Sequence, residues 1–300
     1  MTSPATSTTT LDAQRRFFAE EIQIVCNIQT PELVEAFGAV PRENFLARGP
    51  WTVRSETDFQ KPPRQTPGDD PRFVYHNIAV AIDEGRTLFS GVPGLLAGFM
   101  ESLAVKRGSR VAHIGTGNGY YTAVMAEAVG SGGRVLGIEV DESLAGAAKK
   151  NLQPWAHADV NHGDGTALGD APFDAILVNA GVTHILPHWL DRLAPGGRLI
   201  VPITATMAGP MGPAMANIGK GVVLMVTKPD DAGSVQPMSA RLVTFVAIYS
   251  ALGLRDDALN AKIGASLAKM PYPMLKKFRL DAHEPDAACW LHDERGCWSL

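Results

Sequence analysis

The pattern of apolar and polar positions begins with a helical period. Residues 11–28 carry apolar side chains at helical spacing with charged residues between them, which predicts an amphipathic helix. The apolar positions are Phe17, Phe18, Ile22, Ile24 and Val25. A second helix is predicted from Thr30 to Ala39, because Thr30 is a suitable N-cap and Pro31 suits the first helical position. Two helices therefore precede the rest of the fold, after a polar start of irregular structure.

Residues 110–203 then alternate between short apolar runs and helical patterns. Strands are predicted to end at Ile114, Val140, Asn179 and Ile203, with a further strand before the 162–165 loop. Helices are predicted over residues 120–129 and 144–151 and again up to residue 193, followed by a turn at 195–197. Strands that alternate with helices form a doubly wound, mostly parallel Rossmann-like sheet with right-handed crossovers. The predicted fold class is therefore α/β, with a helical N-terminal portion and a C-terminal extension.

The segments on either side of this core are less regular. The composition of residues 49–72 predicts a long surface loop or, with equal weight, a disordered insertion. A strand is predicted over 74–82, a helix over 95–103, and two late strands over 221–227 and 242–249. The methionines of residues 205–217 and the aromatic tail are expected to pack in the core. The predicted divisions are 1–104 (N-terminal, substrate side), 105–226 (cofactor core) and 227–300 (C-terminal strands and tail).

Composition narrows the possible partners. The 300 residues are 45% hydrophobic and 19% charged, with a net charge of −4, which is typical of a globular protein and argues against a nucleic-acid backbone as ligand. No signal peptide and no membrane-spanning run is evident, so we expect a cytoplasmic protein that binds no membrane. The oligomeric state is not indicated by these features.

A glycine-rich loop follows the predicted strand 110–114. Gly115, Gly117 and Gly119 alternate with Thr116 and Asn118 before a helix, an arrangement that lets a polar ligand approach backbone N–H groups. A dinucleotide fingerprint needs a glycine where Tyr120 stands, so the loop favours S-adenosylmethionine over a nicotinamide cofactor. Taken alone, this pattern is equally consistent with an ordinary tight turn.

Polar residues after the next strands support the cofactor interpretation. Glu139 lies twenty residues after Gly119 at a strand end, where its carboxylate can accept hydrogen bonds from both ribose hydroxyls. Asp164 and Gly165 form an acidic loop suited to the adenine amino group, and Asn179 ends the next strand. The predicted cofactor-binding residues are Gly115, Thr116, Gly117, Asn118, Gly119, Glu139, Asp164, Gly165 and Asn179.

Two further sets of residues have alternative interpretations. Thr87 and Ser90 stand just before a helix, where capping and substrate contact are equally reasonable roles. The tail contains Cys289, His292 and Cys297, with His283 upstream, but their spacing matches no finger or ribbon pattern. We therefore expect no metal site.

Several motifs, in order, resemble the protein-L-isoaspartate O-methyltransferases over roughly residues 33–249. They are LVEAF at 33–37, VPRENF at 40–45, YHN at 75–77, GRT at 85–87, the glycine loop, GDGT at 163–166, FDAILV at 173–178 and LAPGGRL at 193–199. Two features depart from the family pattern. Residues 87–93 are two residues longer between threonine and proline, and His113 replaces an acidic residue that closes the first core strand.

The resemblance implies a carboxyl O-methyltransferase that uses S-adenosylmethionine to repair isoaspartyl residues in a peptide or protein substrate. It implies that Ser90 is the catalytic hydroxyl and that Tyr75, Thr87 and Pro93 lie on the substrate side. The alternatives are an O-methyltransferase for another peptide or small-molecule acceptor, and a non-catalytic cofactor-binding module. A nicotinamide-dependent dehydrogenase is a more distant possibility.

Overall fold

A computed structural model describes residues 8–55, 61–206, 217–231, 237–251, 253–269 and 271–300. Its helices are α1 (Thr8–Cys26), α2 (Pro31–Ala39), α3 (Pro93–Ser102), α4 (Tyr120–Val129), α5 (Glu142–Asn151), α6 (Pro187–Asp191) and α7 (Asp257–Leu267). Its strands are β1 (Thr52–Arg54), β2 (Arg64–Gln65), β3 (Ala79–Asp83), β4 (Leu88–Phe89), β5 (Arg110–Ile114), β6 (Arg134–Glu139), β7 (Ala158–His162), β8 (Phe173–Val178), β9 (Leu193–Thr206), β10 (Ile218–Thr227), β11 (Met238–Tyr249), β12 (Lys277–Arg279), β13 (Cys289–Asp293) and β14 (Gly296–Ser299). The predictions for the start of the chain and for the methionines of 205–217 fall largely outside the described residues.

The chain divides into two compact units that interleave along the sequence. Unit 1 comprises Met1–Ser109, Thr116–Val135 and Asp141–Val160, and unit 2 comprises Arg110–Gly115, Leu136–Val140 and Asn161–Leu300. The three-part division predicted from the sequence stays a prediction. No helix among the described residues is long and apolar enough to cross a membrane.

The two N-terminal helices of unit 1 form as predicted. Phe18 of α1 is fully buried and packs edge-on against the rings of Phe37 in α2 and Tyr75. Three other apolar residues of α1 are exposed, so the buried face is narrower than the sequence pattern indicates; they are Phe17, Ile24 and Val25. The predicted N-cap Thr30 precedes α2, but its side chain makes no capping bond.

The prediction of a structureless loop over 49–72 is wrong for part of the segment. β1 pairs antiparallel with β2 and β3, and β4 adds to β3, giving a four-stranded sheet in the order β2-β1-β3-β4. The predicted strand over 74–82 begins later, at Ala79. Asp70 caps a 3-10 turn over Pro71–Val74, which removes those residues from the strand.

A ten-stranded sheet has the order β13-β14-β12-β11-β10-β9-β8-β5-β6-β7. β8 is parallel to both β5 and β9, which confirms the predicted parallel core. β10 runs antiparallel to β9 and β11, and β12, β13 and β14 continue the antiparallel extension. The two late strands were predicted, but the strands of the tail were not.

The segment around residues 181–206 differs from its prediction. The expected helix shrinks to α6, and the predicted turn at 195–197 lies inside the long strand β9. Phe173 pairs with Leu193 whereas Ala175 pairs with Arg198, so β9 accommodates extra residues in a local bulge. Gly196 has a φ of 71°, a left-handed conformation that glycine adopts without steric cost.

The aromatic tail packs into unit 2, as expected. Trp290 and Trp298 are almost fully buried, and the Trp290 indole N–H donates to the carbonyl of Ser266 at 2.9 Å. An indole that buries its ring and satisfies its N–H stabilises a core without leaving an unpaired donor.

Two glycines allow a matched test of sheet packing. A Cβ on Gly221 of β10 would lie 2.1 Å from the carbonyl oxygen of Ile203, whereas a Cβ on Gly98 of α3 would meet nothing within 4 Å. Gly221→Ala should lower the free energy of unfolding by roughly 1–3 kcal/mol, because the neighbouring backbone must shift. Gly98→Ala should raise it by roughly 0.4–1 kcal/mol. Chemical denaturation measures both; a Gly221→Ala variant as stable as the parent would contradict the packing described.

Candidate active site

The glycine loop between β5 and α4 has the backbone that its sequence predicts. Gly115, Gly117 and Gly119 have φ values of 82°, 58° and 93°. A left-handed backbone costs other L-residues about 1–2 kcal/mol. A Cβ on Gly119 would also lie 3.2 Å from Ala148, whereas at Gly117 the nearest recorded atom is Cδ1 of Ile82, at 3.3 Å. A Cβ at Gly119 would therefore press on the backbone of Ala148, and a Cβ at Gly117 would press on a side-chain tip of Ile82.

Backbone hydrogen bonds align the strand ends in unit 2. The N–H of Gly115 donates to the carbonyl of Ile138 at 2.8 Å, and the N–H of Asn179 donates to the carbonyl of Ile114 at 2.7 Å. The side-chain amide of Asn179 donates to the carbonyl of Gly115 at 3.5 Å. These bonds bring the ends of β5, β6 and β8 to one edge of the sheet, where parallel α/β sheets bind ligands.

Glu139 lies at this edge as the last residue of β6. It is 7% exposed, and its carbonyl accepts a hydrogen bond from the N–H of Gly163 at 2.9 Å. This bond draws the loop after β7 toward the end of β6. A carboxylate accepts hydrogen bonds through two oxygens, so Glu139 is suited to a ligand with paired hydroxyls.

The loop after β7 carries Asp164 and Gly165. The carboxylate of Asp164 accepts hydrogen bonds from the hydroxyl and the N–H of Thr166, at 2.6 and 3.0 Å, and these bonds lower its pKa. Asp164 is therefore ionised at neutral pH and is exposed. Gly165 has a φ of 83°, and its carbonyl accepts from the indole N–H of Trp189 at 2.8 Å.

Thr116 and Asn118 continue the loop in unit 1, and both are buried. The side-chain amide of Asn118 donates to the carbonyl of Phe45, and the carbonyl of Asn118 accepts from the side chain of Asn151 at 2.9 Å. The amide nitrogen of Asn118 thus holds the loop.

His113 of β5 is fully buried, and burial lowers its pKa to about 3. The ring is therefore neutral at physiological pH. Where the resembling family has an acidic side chain, this chain presents no negative charge, so a cationic end of a ligand must be held by other groups.

The structure excludes the capping role considered for Ser90 and Thr87. α3 begins at Pro93 with Val92 as its N-cap, and the side chain that bonds to the helix start is Asn77, which accepts from the N–H of Gly94 at 2.7 Å. The hydroxyl oxygen of Ser90 instead accepts from the N–H of Val80 at 3.1 Å and from Arg42 at 3.4 Å. Thr87 has a φ of 55°, an unusual conformation for a β-branched residue.

Arg42 holds this region together, a role that sequence reasoning missed. Its guanidinium donates to the carbonyls of Val74 at 2.7 Å, His76 at 3.2 Å and Ile78 at 2.8 Å, and the side chain is 1% exposed. It also lies over the ring of Tyr120, 5.6 Å from the centroid. The sequence signal for this residue is the VPRENF motif.

Tyr75, which the resemblance places on the substrate side, makes its polar contacts within the protein, and its substrate role stays a prediction. This residue is fully buried, and burial together with the Glu43 carboxylate raises the pKa of its hydroxyl. The hydroxyl donates to Glu43 and accepts from Arg15 at 2.8 Å and from the N–H of Arg42 at 3.1 Å. Tyr75 is thus an internal link between α1 and the 3-10 turn Arg42–Phe45, called the Arg42 turn.

Comparison with known proteins identifies the family. A model of the Protein-L-isoaspartate(D-aspartate) O-methyltransferase family (PCMT) matches residues 16–214. The chain belongs to this family. It is 34% identical to protein-L-isoaspartate O-methyltransferase 1 of Geotalea uraniireducens over 184 residues, covering 60% of this chain and 72% of that protein. It is 31% identical to protein-L-isoaspartate O-methyltransferase 2 of Syntrophobacter fumaroxidans over 222 residues, covering 73% and 75% of the two chains.

Solved structures of PCMT proteins share the fold. A protein-L-isoaspartate O-methyltransferase structure superposes with a TM-score of 0.62 at 23% identity, covering 84% of this chain and 69% of the other. A Plasmodium falciparum protein described as a putative family member, in complex with S-adenosyl-L-homocysteine, gives a TM-score of 0.56 at 18% identity, covering 79% and 97% of the two chains. The α/β fold of this chain is therefore that of PCMT structures.

As a PCMT member, the chain is an S-adenosylmethionine-dependent O-methyltransferase, and its residues fit that cofactor. In unit 2, the edge of the sheet carries Glu139 and the ionised Asp164. These carboxylates match the hydroxyl and amino donors of an adenosyl group. The predicted residue roles within this cofactor site stay predictions.

Glu139→Gln should weaken S-adenosylmethionine binding about 10- to 100-fold, because it removes charge-assisted hydrogen bonds of about 1.5–3 kcal/mol. Isothermal titration calorimetry measures the change. Asp170→Asn is the matched control, since that side chain is fully exposed and should leave affinity unchanged. Unchanged affinity in the Glu139→Gln protein would remove the ribose assignment.

Arg42→Lys should lower the free energy of unfolding by roughly 1.5–3 kcal/mol, because a single ammonium cannot reach three carbonyls arranged around a planar fork. Arg48→Lys is the control, since Arg48 is 88% exposed and pairs only with Asp69 in the described structure. Urea denaturation of both proteins tests this expectation. Equal stability of the two variants would show that the Arg42 bonds contribute little.

Proposed function

We propose that this chain methylates the abnormal carboxylate of isoaspartyl residues in peptides or proteins, the reaction named for its family. The proposal is supported by the family match over residues 16–214 and by the names of relatives at 31–34% identity. The structural observation that supports a carboxylate acceptor is the environment of the Ser90 hydroxyl.

The oxygen of Ser90 accepts two hydrogen bonds, from Val80 and Arg42. A hydroxyl has two acceptor lone pairs and one O–H donor, so these contacts leave the donor for a further partner. Among the described residues, no acceptor is recorded for this O–H. A substrate carboxylate is the kind of acceptor that such a donor would orient.

The reaction needs little acid–base chemistry from the protein. When bound, the cofactor supplies an electrophilic methyl group. A carboxylate with an ordinary pKa near 4 is already ionised at pH 7, so no general base is required. The protein contributes by orienting the acceptor and excluding water, effects that can supply about 7–11 kcal/mol in well-oriented systems.

Each residue set has a distinct part in this proposal. Ser90 orients the acceptor, and Arg42 is a positioning residue that fixes the Ser90 oxygen. Glu139 and Asp164 hold the cofactor. The longer segment 87–93 shapes the acceptor side differently from the family pattern, so acceptor preference is the property that most needs direct measurement.

Transfer of a labelled methyl group tests the function. The purified protein is incubated with labelled S-adenosylmethionine and an isoaspartyl peptide, its aspartyl twin or a panel of small carboxylates. We expect base-labile methyl ester on the isoaspartyl peptide and none on the twin. Labelling of a small carboxylate alone would replace the repair proposal with a different acceptor class, and no labelling by cofactor-bound protein would indicate a binding module.

Ser90→Ala should slow methyl transfer about 10- to 100-fold while leaving S-adenosylmethionine affinity nearly unchanged, because the hydroxyl orients the acceptor. Initial rates, calorimetry and thermal unfolding are measured on the same preparation. Ser143→Ala, an exposed position in α5, is the control. A Ser90→Ala protein with full turnover per folded molecule would exclude the proposed role.

A further inference from the structure

Four metal-binding residue types meet at the C-terminal hairpin of unit 2. His283, Cys289, His292 and Cys297 each offer one ligand atom, and these atoms all lie within 4.8 Å of one another. Cys297 is buried and the other three are half-buried. This site belongs to the segment beyond residue 214, outside the part of the chain that matches the family.

A β-bulge explains how the hairpin collects these side chains on one face. His292 and Cys297 are direct partners across β13 and β14, and Cys289 pairs with Ser299. The register shifts between Cys289 and Leu291, which places Trp290 as the extra residue of the bulge. Without this shift, side-chain alternation would put Cys289 on the face opposite His292. The bulge thus aligns both cysteines with His292.

His283 reaches the same cluster from the irregular segment before β13. Its Nδ1 lies 2.8 Å from the carbonyl oxygen of Asp281. A carbonyl only accepts hydrogen bonds, so Nδ1 carries the proton and Nε2 of the neutral ring presents a lone pair. That Nε2 lies 3.4 Å from Sγ of Cys289. Metal-bound histidines commonly donate their other ring N–H to a carbonyl in this way.

The position of Asp281 is itself fixed. Arg279 of β12 pairs with the carboxylate of Asp281 at 2.7 Å and contacts that of Asp286 at 3.8 Å. The segment that carries His283 is therefore tied to β12 at two points, Asp281 and Asp286.

The second histidine also has an available nitrogen. The rings of His283 and His292 are 4.7 Å apart between centroids, with an interplanar angle of 77°. Nδ1 of His292 is buried, and no hydrogen-bond partner for it is recorded in the described structure. An imidazole nitrogen in this state is suited to a ligand that accepts its lone pair.

The separations agree with a small tetrahedral site. Zn–S bonds of about 2.3 Å and Zn–N bonds of about 2.0–2.1 Å imply ligand–ligand separations of roughly 3.3–3.8 Å. The Cys289–His283 distance of 3.4 Å falls in this range. The two sulfurs are 2.8 Å apart, longer than the S–S bond of about 2.05 Å, and need to separate by roughly 1 Å.

We propose that His283, Cys289, His292 and Cys297 form a structural Zn²⁺ site. Two thiolates and two imidazoles are the donor set that zinc prefers, and four protein ligands leave no open position for catalysis. Binding releases one proton from each thiol to solvent, so the two thiolates balance the charge of the ion. The ion would fasten the irregular segment before β13 to the hairpin. This proposal replaces the expectation of no metal, and it is independent of the proposed function.

The test uses the full-length protein without a histidine tag, expressed in zinc-supplemented medium and purified under reducing conditions. Elemental analysis by mass spectrometry should find about one zinc per chain. Cys289→Ser and His283→Ala should each weaken zinc affinity at least about tenfold in competition with a chelator dye. Cys26→Ser and His162→Ala are matched controls outside the cluster and should retain zinc.

A second measurement does not depend on variants. Chelator-treated protein titrated with Co²⁺ should develop the intense visible bands of a tetrahedral cobalt–thiolate centre, and added Zn²⁺ should remove them. An intact-mass loss of two hydrogens with a Cys289–Cys297 disulfide in the reduced preparation would overturn the proposal. Two free thiols with no zinc and no cobalt spectrum would overturn it as well.

Discussion

Much of unit 1 depends on the hydrogen bonds of the buried Arg42 guanidinium. A charge that is withdrawn from water is tolerated only when its donors are satisfied, and here three backbone carbonyls meet that requirement. Those carbonyls belong to alternate residues of one chain segment, so a single side chain holds the course of the backbone into β3. The same group contacts Ser90, the residue proposed to orient the methyl acceptor.

Around this centre, the polar groups form a closed network. The Tyr75 hydroxyl joins Arg15, Glu43 and the backbone of Arg42, and Arg15 also pairs directly with Glu43, so the first helix is connected to the turn by two routes. Networks of this kind specify a unique arrangement because partial satisfaction is costly at low dielectric. The motif VPRENF is therefore explained by internal hydrogen bonding as much as by any ligand.

Sequence reasoning succeeded where the signal is local. The glycine loop, α4, and the strands β5, β6 and β8 follow from short-range patterns of apolar runs, glycines and caps, and the structure places them close to their predicted bounds. It failed where contacts between residues far apart in the sequence determine the structure. The burial of Tyr75, the carbonyls bound by Arg42 and the bulge at Trp290 each depend on partners that no periodicity encodes. The spacing of His283, Cys289, His292 and Cys297 matched no known pattern because the bulge, rather than the count of residues, brings them together.

Asn118 has a consequence for which substitutions the chain can tolerate. Its side-chain amide reaches the carbonyl of Phe45, seventy-three residues earlier in the sequence. Because the acceptor is a main-chain atom, any residue at position 45 can supply it, whereas position 118 must provide a short side chain with a donor. Aspartate, although nearly the same shape, would set one acceptor against another. The constraint therefore falls on only one of the two positions. Substitution of residue 45 leaves the hydrogen bond intact, whereas substitution of residue 118 breaks the hydrogen bond between the glycine loop and the Arg42 turn.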